Sequence, residues 1–213
     1  MTQRPEAAMN HLLSRMSPSV TNMIRMDHTH VLTTFHQYHP DTAPRVKKGL
    51  ADTVCVALEI HAQLEEEIFY PALRAIADSD FMSKSVPEHD QVRRLISQLR
   101  HLQPEETSFD EAFYQLMNAV MHHVADEETL LLPTAERVLA HQLGDLGAEM
   151  TKRRLQLTAS RGGELAGSMA RSMSAGGLVL GAGALLAAGY LLSGSPRAPV
   201  RGATRPEPSV SPF

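Results

Sequence analysis

The chain has 213 residues, with 24 acidic and 20 basic side chains and a formal net charge of −4. Its single cysteine excludes a disulfide scaffold and a cysteine-based zinc site, and its acidity argues against a nucleic-acid surface, which needs a basic stripe. The charge is uneven: residues 160–213 contain five Arg and two Glu, a net +3, so residues 1–159 carry 15 basic and 22 acidic groups, a net −7.

Hydrophobic periodicity predicts an all-α fold with four long helices in residues 17–143, after a flexible N-terminal arm over residues 1–16. The predicted helices run over about residues 18–39, 44–77, 85–102 and 108–143. Ser17 is the expected first N-cap, and Ser85 to Glu88 and Ser108 to Glu111 match the capping-box pattern. The short connections predict an antiparallel up-down-up-down four-helix bundle.

Three further segments follow the predicted bundle. Residues 144–173 are expected to form a polar helical linker that leads away from it. Residues 174–193 are apolar and uncharged and predict a transmembrane helix, with a single GxxxG at Gly177 and Gly181 that would permit homo-oligomers. Residues 194–213 are rich in Pro and predict a disordered tail.

The basic residues around the apolar segment bear on localisation. Five precede it, Lys152, Arg153, Arg154, Arg161 and Arg171, and three Arg follow it. This small excess predicts membrane anchoring with the bundle on the cytoplasmic side. A soluble cytoplasmic protein is the alternative.

An internal repeat at a spacing of about sixty residues is the most informative feature of the sequence. HAQLEEEIFYP, from His61 to Pro71, matches HVADEETLLLP, from His123 to Pro133, in its His, its Glu at +4 and +5, two apolar residues and its Pro. Upstream, Asp27-His28 matches Glu88-His89. The chain is therefore predicted to contain two similar helical hairpins.

This repeat predicts a metal centre. Residues four apart lie on one helix face, so the His and Glu of each His-x-x-x-Glu can present a nitrogen and an oxygen to one point. The six predicted ligands are His28, His61, Glu65, His89, His123 and Glu127. Imidazole and carboxylate without thiolate suit iron, zinc or manganese, and carboxylates able to bridge favour a pair of metals.

The remaining histidines and acids receive different predictions. Those without a repeated partner are expected to be ordinary surface residues: His11, His30, His36, His39, His101 and His141. His122 falls outside the repeated register. Asp27, Glu66, Glu88 and Glu128 are interpreted as groups that either orient a ligand histidine or are solvated. Tyr70 is a conceivable redox neighbour, but its counterpart Leu132 favours packing.

The order His, His-x-x-x-Glu, His, His-x-x-x-Glu, with Glu and Pro following, resembles the hemerythrin-like (HHE cation-binding) domain over about residues 20–142. That resemblance implies a four-helix bundle around a non-haem di-iron centre. One iron would take His61 with His28 nearby and the other His123 with His89, with Glu65 and Glu127 as bridges. Oxygen-carrying members have a further His where this chain has Arg93, which leaves room for water or another side chain.

The sequence is compatible with three functions. The first is that of a di-iron protein that binds or senses dioxygen, nitric oxide or a related small ligand. The second is that of a di-iron oxidoreductase acting on peroxide or a small substrate, and the third is that of a helical scaffold without metal. In the first two, two Fe ions are expected as cofactors, with Mn or Zn as possible substitutes. No nucleic-acid partner is expected.

Overall fold

The computed structural model describes residues 17–76 and 85–172, which contain helices and no strand. Eight α-helices lie within these ranges: α1 (Val20–His36), α2 (Pro44–Leu64), α3 (Tyr70–Arg74), α4 (Ser85–His101), α5 (Thr107–Asp126), α6 (Leu132–Val138), α7 (Leu143–Ser160) and α8 (Gly162–Ser172). The all-α fold is confirmed. Residues 1–16, and with them the predicted arm, lie outside the described part of the chain, as do the apolar segment 174–193 and the tail 194–213.

Two predicted N-caps were wrong, although the helices begin within two residues of the predicted starts. Helix α1 is capped by Ser19 rather than Ser17, because the Ser19 hydroxyl accepts a hydrogen bond from the Asn22 N–H at 3.3 Å. Helix α5 begins at Thr107 with Glu106 as its N-cap. The Ser108 hydroxyl bonds the Glu106 carboxylate at 3.1 Å, so it does not cap the helix.

Two of the four helices that bear predicted ligands, α2 and α5, each continue through a five-residue π-helical turn. These turns are Glu65–Phe69, which links α2 to α3, and Glu127–Leu131, which links α5 to α6. In each, an N–H reaches back five residues, from Tyr70 to Glu65 and from Leu132 to Glu127. The proline that follows each turn has no N–H to donate, so the regular α-helical bonding is interrupted nearby.

The buried apolar side chains form two clusters along the bundle. On α1, Ile24 belongs to the first cluster and Val31 to the second, and the buried His28 lies between them in sequence. The second cluster contains the aromatic pair Phe35 and Phe113, with ring centroids 5.6 Å apart. Polar side chains are therefore inserted between two apolar cores.

The predicted linker does not lead away from the bundle, and that prediction was wrong. Helix α7 packs on α1 and α2 and buries Met150 and Leu157 in the first cluster. Helix α8 lies along α2 so closely that a Cβ on Gly49 would come within 2.5 Å of the Ser172 backbone nitrogen. The physical reason is the apolar stripe of α7, which is stabilised by burial.

Most of the basic residues in and between α7 and α8 have partners in the bundle. Four of the five that precede the apolar segment form ion pairs: Arg153 with Glu67, Arg154 with Asp27, Arg161 with Glu59 and Arg171 with Asp52. Their charge is thus matched locally, which weakens the charge asymmetry used to predict orientation. Within residues 17–76 and 85–172, no helix combines the length and apolarity needed to cross a membrane.

Candidate metal centre

Six buried polar side chains converge at the middle of the bundle, and they are the six predicted from the repeat. Helix α1 contributes His28, α2 contributes His61, α4 contributes His89 and α5 contributes His123. Glu65 and Glu127 are the first residues of the two π-helical turns. All six are at most 4% exposed.

The first hairpin of the repeat contains α1 and α2, and the second contains α4 and α5. Each glutamate contacts one histidine from each hairpin. Glu65 Oε2 lies 3.4 Å from His61 Nε2 and 3.3 Å from His89 Nε2. Glu127 Oε2 lies 3.2 Å from His28 Nε2 and 3.5 Å from His123 Nε2. Both carboxylates therefore span the two halves of the repeat.

The donor atoms fall into two overlapping groups, in each of which all lie within 4.8 Å of one another. One consists of His28, His61, Glu65 and Glu127, and the other of His61, Glu65, His89 and His123. His89 and His123 approach with their Nε2 atoms 3.2 Å apart, and the rings of His28 and His61 are 5.1 Å apart. This geometry is compatible with two neighbouring cation positions.

A carboxylate lies against the outer nitrogen of every histidine in the cluster. Glu128 bonds His28 Nδ1, Glu66 bonds His89 Nδ1 and Glu88 bonds His123 Nδ1, each at 2.9 Å, and Asp27 lies 3.5 Å from His61 Nδ1. A carboxylate at Nδ1 holds a proton there and leaves Nε2 free to face the centre. For these four acids the sequence left open whether they orient a histidine or are solvated, and in the structure each lies against a histidine of the cluster.

Three of these outer carboxylates are themselves held by arginine. Arg25 pairs with Glu128, Arg93 with Glu66 and Arg154 with Asp27. Both Oε atoms of Glu66 accept hydrogen bonds from Arg93 Nη2 at 2.6 Å. The fourth, Glu88, instead faces His122 at 3.6 Å.

Tyr70 was expected to pack, and the structure places its hydroxyl in the centre instead. The hydroxyl oxygen lies 2.9 Å from Glu127 Oε1 and 3.0 Å from Glu65 Oε2, either of which can accept its single proton in a hydrogen bond, and 3.4 Å from His89 Nε2. Tyr70 is fully buried. Its counterpart Leu132 is buried as well, so the match between the two positions correctly indicated burial and missed the hydroxyl's contacts.

The histidines expected at the surface are not part of the cluster. His36, His39, His101 and His141 are exposed and His30 is half-buried, while His11 lies outside the described residues. The imidazole of His122 is 71% exposed, in contrast to the 4% of its neighbour His123. The register of the repeat therefore separates the buried histidine from the exposed one.

The electrostatics of the cluster favour charged groups despite burial. Burial by itself lowers the pKa of His123, but the hydrogen bond to Glu88 and the nearby carboxylates outweigh it and raise that pKa to about 9. The pKa values of His28 and His89 are likewise raised by adjacent glutamates against the effect of burial. The pKa of Glu65 is lowered, because the surrounding imidazoles outweigh the burial that would raise it.

Several polar atoms at the heart of the cluster have no hydrogen-bond partner. They are His28 Nε2, His61 Nε2, Glu65 Oε1 and Glu127 Oε2, together with the outer nitrogen His61 Nδ1. His28 Nε2 and Glu127 Oε2 lie 3.2 Å apart but do not have the alignment of a hydrogen bond. Leaving one such buried group unsatisfied costs about 1–3 kcal/mol. Nitrogen and carboxylate donors that converge without partners have the chemistry expected of a cation site.

A small cavity adjoins the histidines on one side. Its lining comprises Asp27, His28, His61 and His123 together with the apolar side chains Val31, Leu58, Val120 and Val124. It has room for roughly one water-sized molecule. The cavity therefore has polar groups of the cluster on one side and an apolar wall on the other.

Comparisons with known proteins agree with this description. A family model described as the hemerythrin HHE cation binding domain matches residues 19–135. A crystal structure of an HHE cation binding domain-containing protein from Mycobacterium kansasii covers 73% of this chain and 99% of its own, with a TM-score of 0.60 and 21% identity. A DNA nickase from Nostoc sp. is 25% identical over 151 residues, and this chain spans 43% of that relative's length.

Proposed function

The chain belongs to the hemerythrin HHE cation-binding domain family, and from this premise we propose that its six-residue cluster holds two iron ions and binds a small ligand such as dioxygen or nitric oxide. The observation that carries the proposal is the convergence of four Nε2 atoms and two carboxylates, several of them without another partner, in one buried site. Manganese or zinc could replace iron, because imidazole and carboxylate accept all three metals.

The donor arrangement supports two ions rather than one. The pair His28 and His61 would hold one position, and the pair His89 and His123 the other. Glu65 and Glu127 each contact both pairs, so each can bridge. Iron held there would supply a redox-active position for a small ligand.

Histidines of the cluster must release their Nε2 protons when a cation binds. Without a metal, a pKa of about 9 keeps His123 protonated near neutral pH, and adjacent glutamates raise the pKa values of His28 and His89 against the effect of burial. A cation needs the free Nε2 lone pairs, so its binding releases these protons. The Nδ1 protons of His28, His89 and His123 stay, because the outer carboxylates accept hydrogen bonds from these N–H groups.

The apolar cavity supports a small, uncharged ligand over a large substrate. Its walls at Val31, Leu58, Val120 and Val124 offer no hydrogen bonds from their side chains, and it has room for about one water-sized molecule. On the carboxylate side, the Tyr70 hydroxyl contacts Glu65 and Glu127. The two sides of the cluster are thus chemically different.

A second candidate function is that of a di-iron oxidoreductase acting on peroxide or a small substrate. The position of Tyr70 favours it, because a buried phenol in contact with both carboxylates could donate a proton or an electron to the centre. Consumption of hydrogen peroxide by the iron-loaded protein tests this candidate. An iron-loaded protein that leaves peroxide unchanged would contradict it.

A metal-free scaffold and a role on nucleic acid have less support. A scaffold would have to retain several buried donors without partners, at an energetic cost. The DNA nickase relative suggests a nucleic-acid role, but this chain spans less than half of that protein's length. The net charge of −7 in residues 1–159 also opposes phosphate binding.

Metal analysis of the purified full-length chain tests the main proposal. We expect about two iron atoms per chain from iron-replete cells, and loss of most of that iron in Glu65→Ala and Glu127→Ala. The exposed Glu105→Ala serves as the matched control. Iron-free wild-type protein, or equal iron in all variants, would contradict the proposal.

Nitric oxide titration of the iron-loaded protein tests the ligand pocket. Val120→Leu places an extra methylene at the cavity wall and should weaken nitric oxide binding while iron content stays unchanged. Val92→Leu makes the same change in the same apolar cluster, away from the cavity, and should have no effect on binding. Equal affinities in the two variants would count against the cavity as the ligand site.

A further inference from the structure

A third group of possible ligands lies at the surface next to the buried cluster. Donor atoms of Glu88, His122 and Asp126 lie within 4.8 Å of one another. His122 and Asp126 are one turn apart on α5, and Glu88 reaches them from α4. We propose that these three residues form a solvent-facing site for a divalent transition-metal ion, which shares Glu88 with the buried centre.

The contacts of Glu88 support a shared role. Its Oε2 bonds Nδ1 of the buried His123 at 2.9 Å, whereas its Oε1 lies 3.6 Å from Nδ1 of His122. The second distance is too long for a hydrogen bond. One carboxylate oxygen therefore orients the buried centre, and the other faces an imidazole that is 71% exposed.

In the first hairpin, the positions equivalent to this surface group are covered by α7. The counterparts of His122 and Asp126 are Ile60 and Leu64, both buried in the first apolar cluster with residues of α7. The counterpart of Glu88 is Asp27, which pairs with Arg154 of that helix. The second hairpin instead has an imidazole and a carboxylate at these positions.

Charge at this place also favours a cation. Three of the four outer carboxylates have an arginine partner, whereas Glu88 has none within the described ranges 17–76 and 85–172. Together with Asp126 it leaves two negative charges beside an exposed imidazole. One nitrogen and two carboxylate donors suit zinc, manganese or iron(II), with water in the remaining positions.

Zinc titration of the iron-loaded full-length protein, followed by calorimetry, tests the site. Wild-type protein should bind one additional zinc equivalent, and His122→Ala and Asp126→Asn should each weaken that binding at least about tenfold. His101→Ala, an exposed histidine on α4, is the matched control and should leave the affinity unchanged. Thermal denaturation of each variant checks that it is folded.

A zinc-soaked crystal locates the ion directly. An anomalous peak between Glu88, His122 and Asp126 would support the proposal. A peak elsewhere, or zinc binding that His122→Ala leaves unchanged, would overturn it and indicate an adventitious ion only.

Only the sharing of Glu88 rests on the proposed function, and iron analysis separates the two proposals. Zinc binding that depends on His122 in a chain without buried iron would support the surface site and contradict the proposed function. If the centre holds iron but no zinc binding depends on His122, the proposed function is supported and the surface site is contradicted.

Discussion

Glu66 hydrogen-bonds Nδ1 of His89 at 2.9 Å, although the two residues belong to different hairpins of the internal repeat. The equivalent contact joins Glu128 to His28 at the same distance. Each hairpin thus supplies the carboxylate that orients the first histidine of the other. Because the exchange is reciprocal, the donor atoms at the centre depend on the correct docking of both hairpins.

Removal of this contact should weaken metal binding. Glu66→Ala frees the His89 ring to rotate and removes the acceptor for its Nδ1 proton, so we expect iron affinity to fall about 10- to 100-fold. Glu67→Ala is the matched control, because this adjacent carboxylate pairs with Arg153 rather than with a histidine. Competition with a chelator measures both affinities. Equal affinities in the two variants would contradict the orienting role.

Tyr70→Phe tests the hydroxyl at the centre. Burial and the two glutamates raise the pKa of the phenol, so in the metal-free protein it stays protonated and donates a hydrogen bond to one of the two carboxylates. Its removal should change the optical spectrum of the iron-loaded protein and lower the unfolding free energy of the metal-free form by about 1 kcal/mol. Tyr114→Phe, at a partly exposed position, should change neither. Identical behaviour of the two variants would indicate that Tyr70 only packs.

Metal removal should lower the melting temperature. A cation that binds only the folded state stabilises it by about 2.7 kcal/mol at a hundredfold excess over its dissociation constant. For a chain of this size that corresponds to roughly 5–10 °C. Scanning calorimetry with and without a chelator measures the difference, and Glu65→Ala should show little response to the chelator. A wild-type melting temperature that ignores the chelator would favour the metal-free scaffold.

Gly49→Ala should separate α8 from α2. A Cβ at this position would meet the Ser172 backbone, which cannot move without shifting the helix. We expect a loss of about 1–3 kcal/mol of stability, measured by urea denaturation. Gly144→Ala is the control, because nothing lies within 4 Å of its added Cβ. If Gly49→Ala matched that control, the close packing of α8 on α2 would be refuted.

Cys55 should resist alkylation in the folded protein. The side chain is 1% exposed, and burial raises its pKa to about 12 from an ordinary value of 9. The thiolate is therefore disfavoured in the folded state. Burial of the neutral thiol contributes its full stability to the folded state below pH 9, and this contribution is lost as the pH rises towards 12. Iodoacetamide labelling at about pH 8.5, near the ordinary thiol pKa, should be fast only after denaturation. Fast labelling of the folded protein would contradict this environment.

The repeat carried most of what could be predicted of the site. The period of about sixty residues selected His123 over His122 and grouped six residues that the structure places in one buried cluster. It also identified the four acids around them. The grouping could be predicted because helical spacing determines which side chains share a face, and spacing is a property of the sequence alone.

The remaining features depend on contacts between distant residues. The sequence did not predict the two π-helical turns, the return of α7 and α8 to the bundle or the hydroxyl of Tyr70 in the centre. Nor does a single-helix pattern show that Glu66 faces His89 rather than its own neighbours. Each results from packing between helices that are far apart in the chain.

The sequence by itself determined the helices, the two hairpins and the set of converging donors, because these follow from local periodicity and duplicated spacing. Only the tertiary structure decided which carboxylate orients which histidine, and that Glu88 alone among the four outer acids faces an exposed imidazole rather than an arginine in the described part of the chain. The reason is physical. Local pattern sets the face of each helix, whereas the docking of α7 against one hairpin covers one side of the centre and leaves Glu88 on the other.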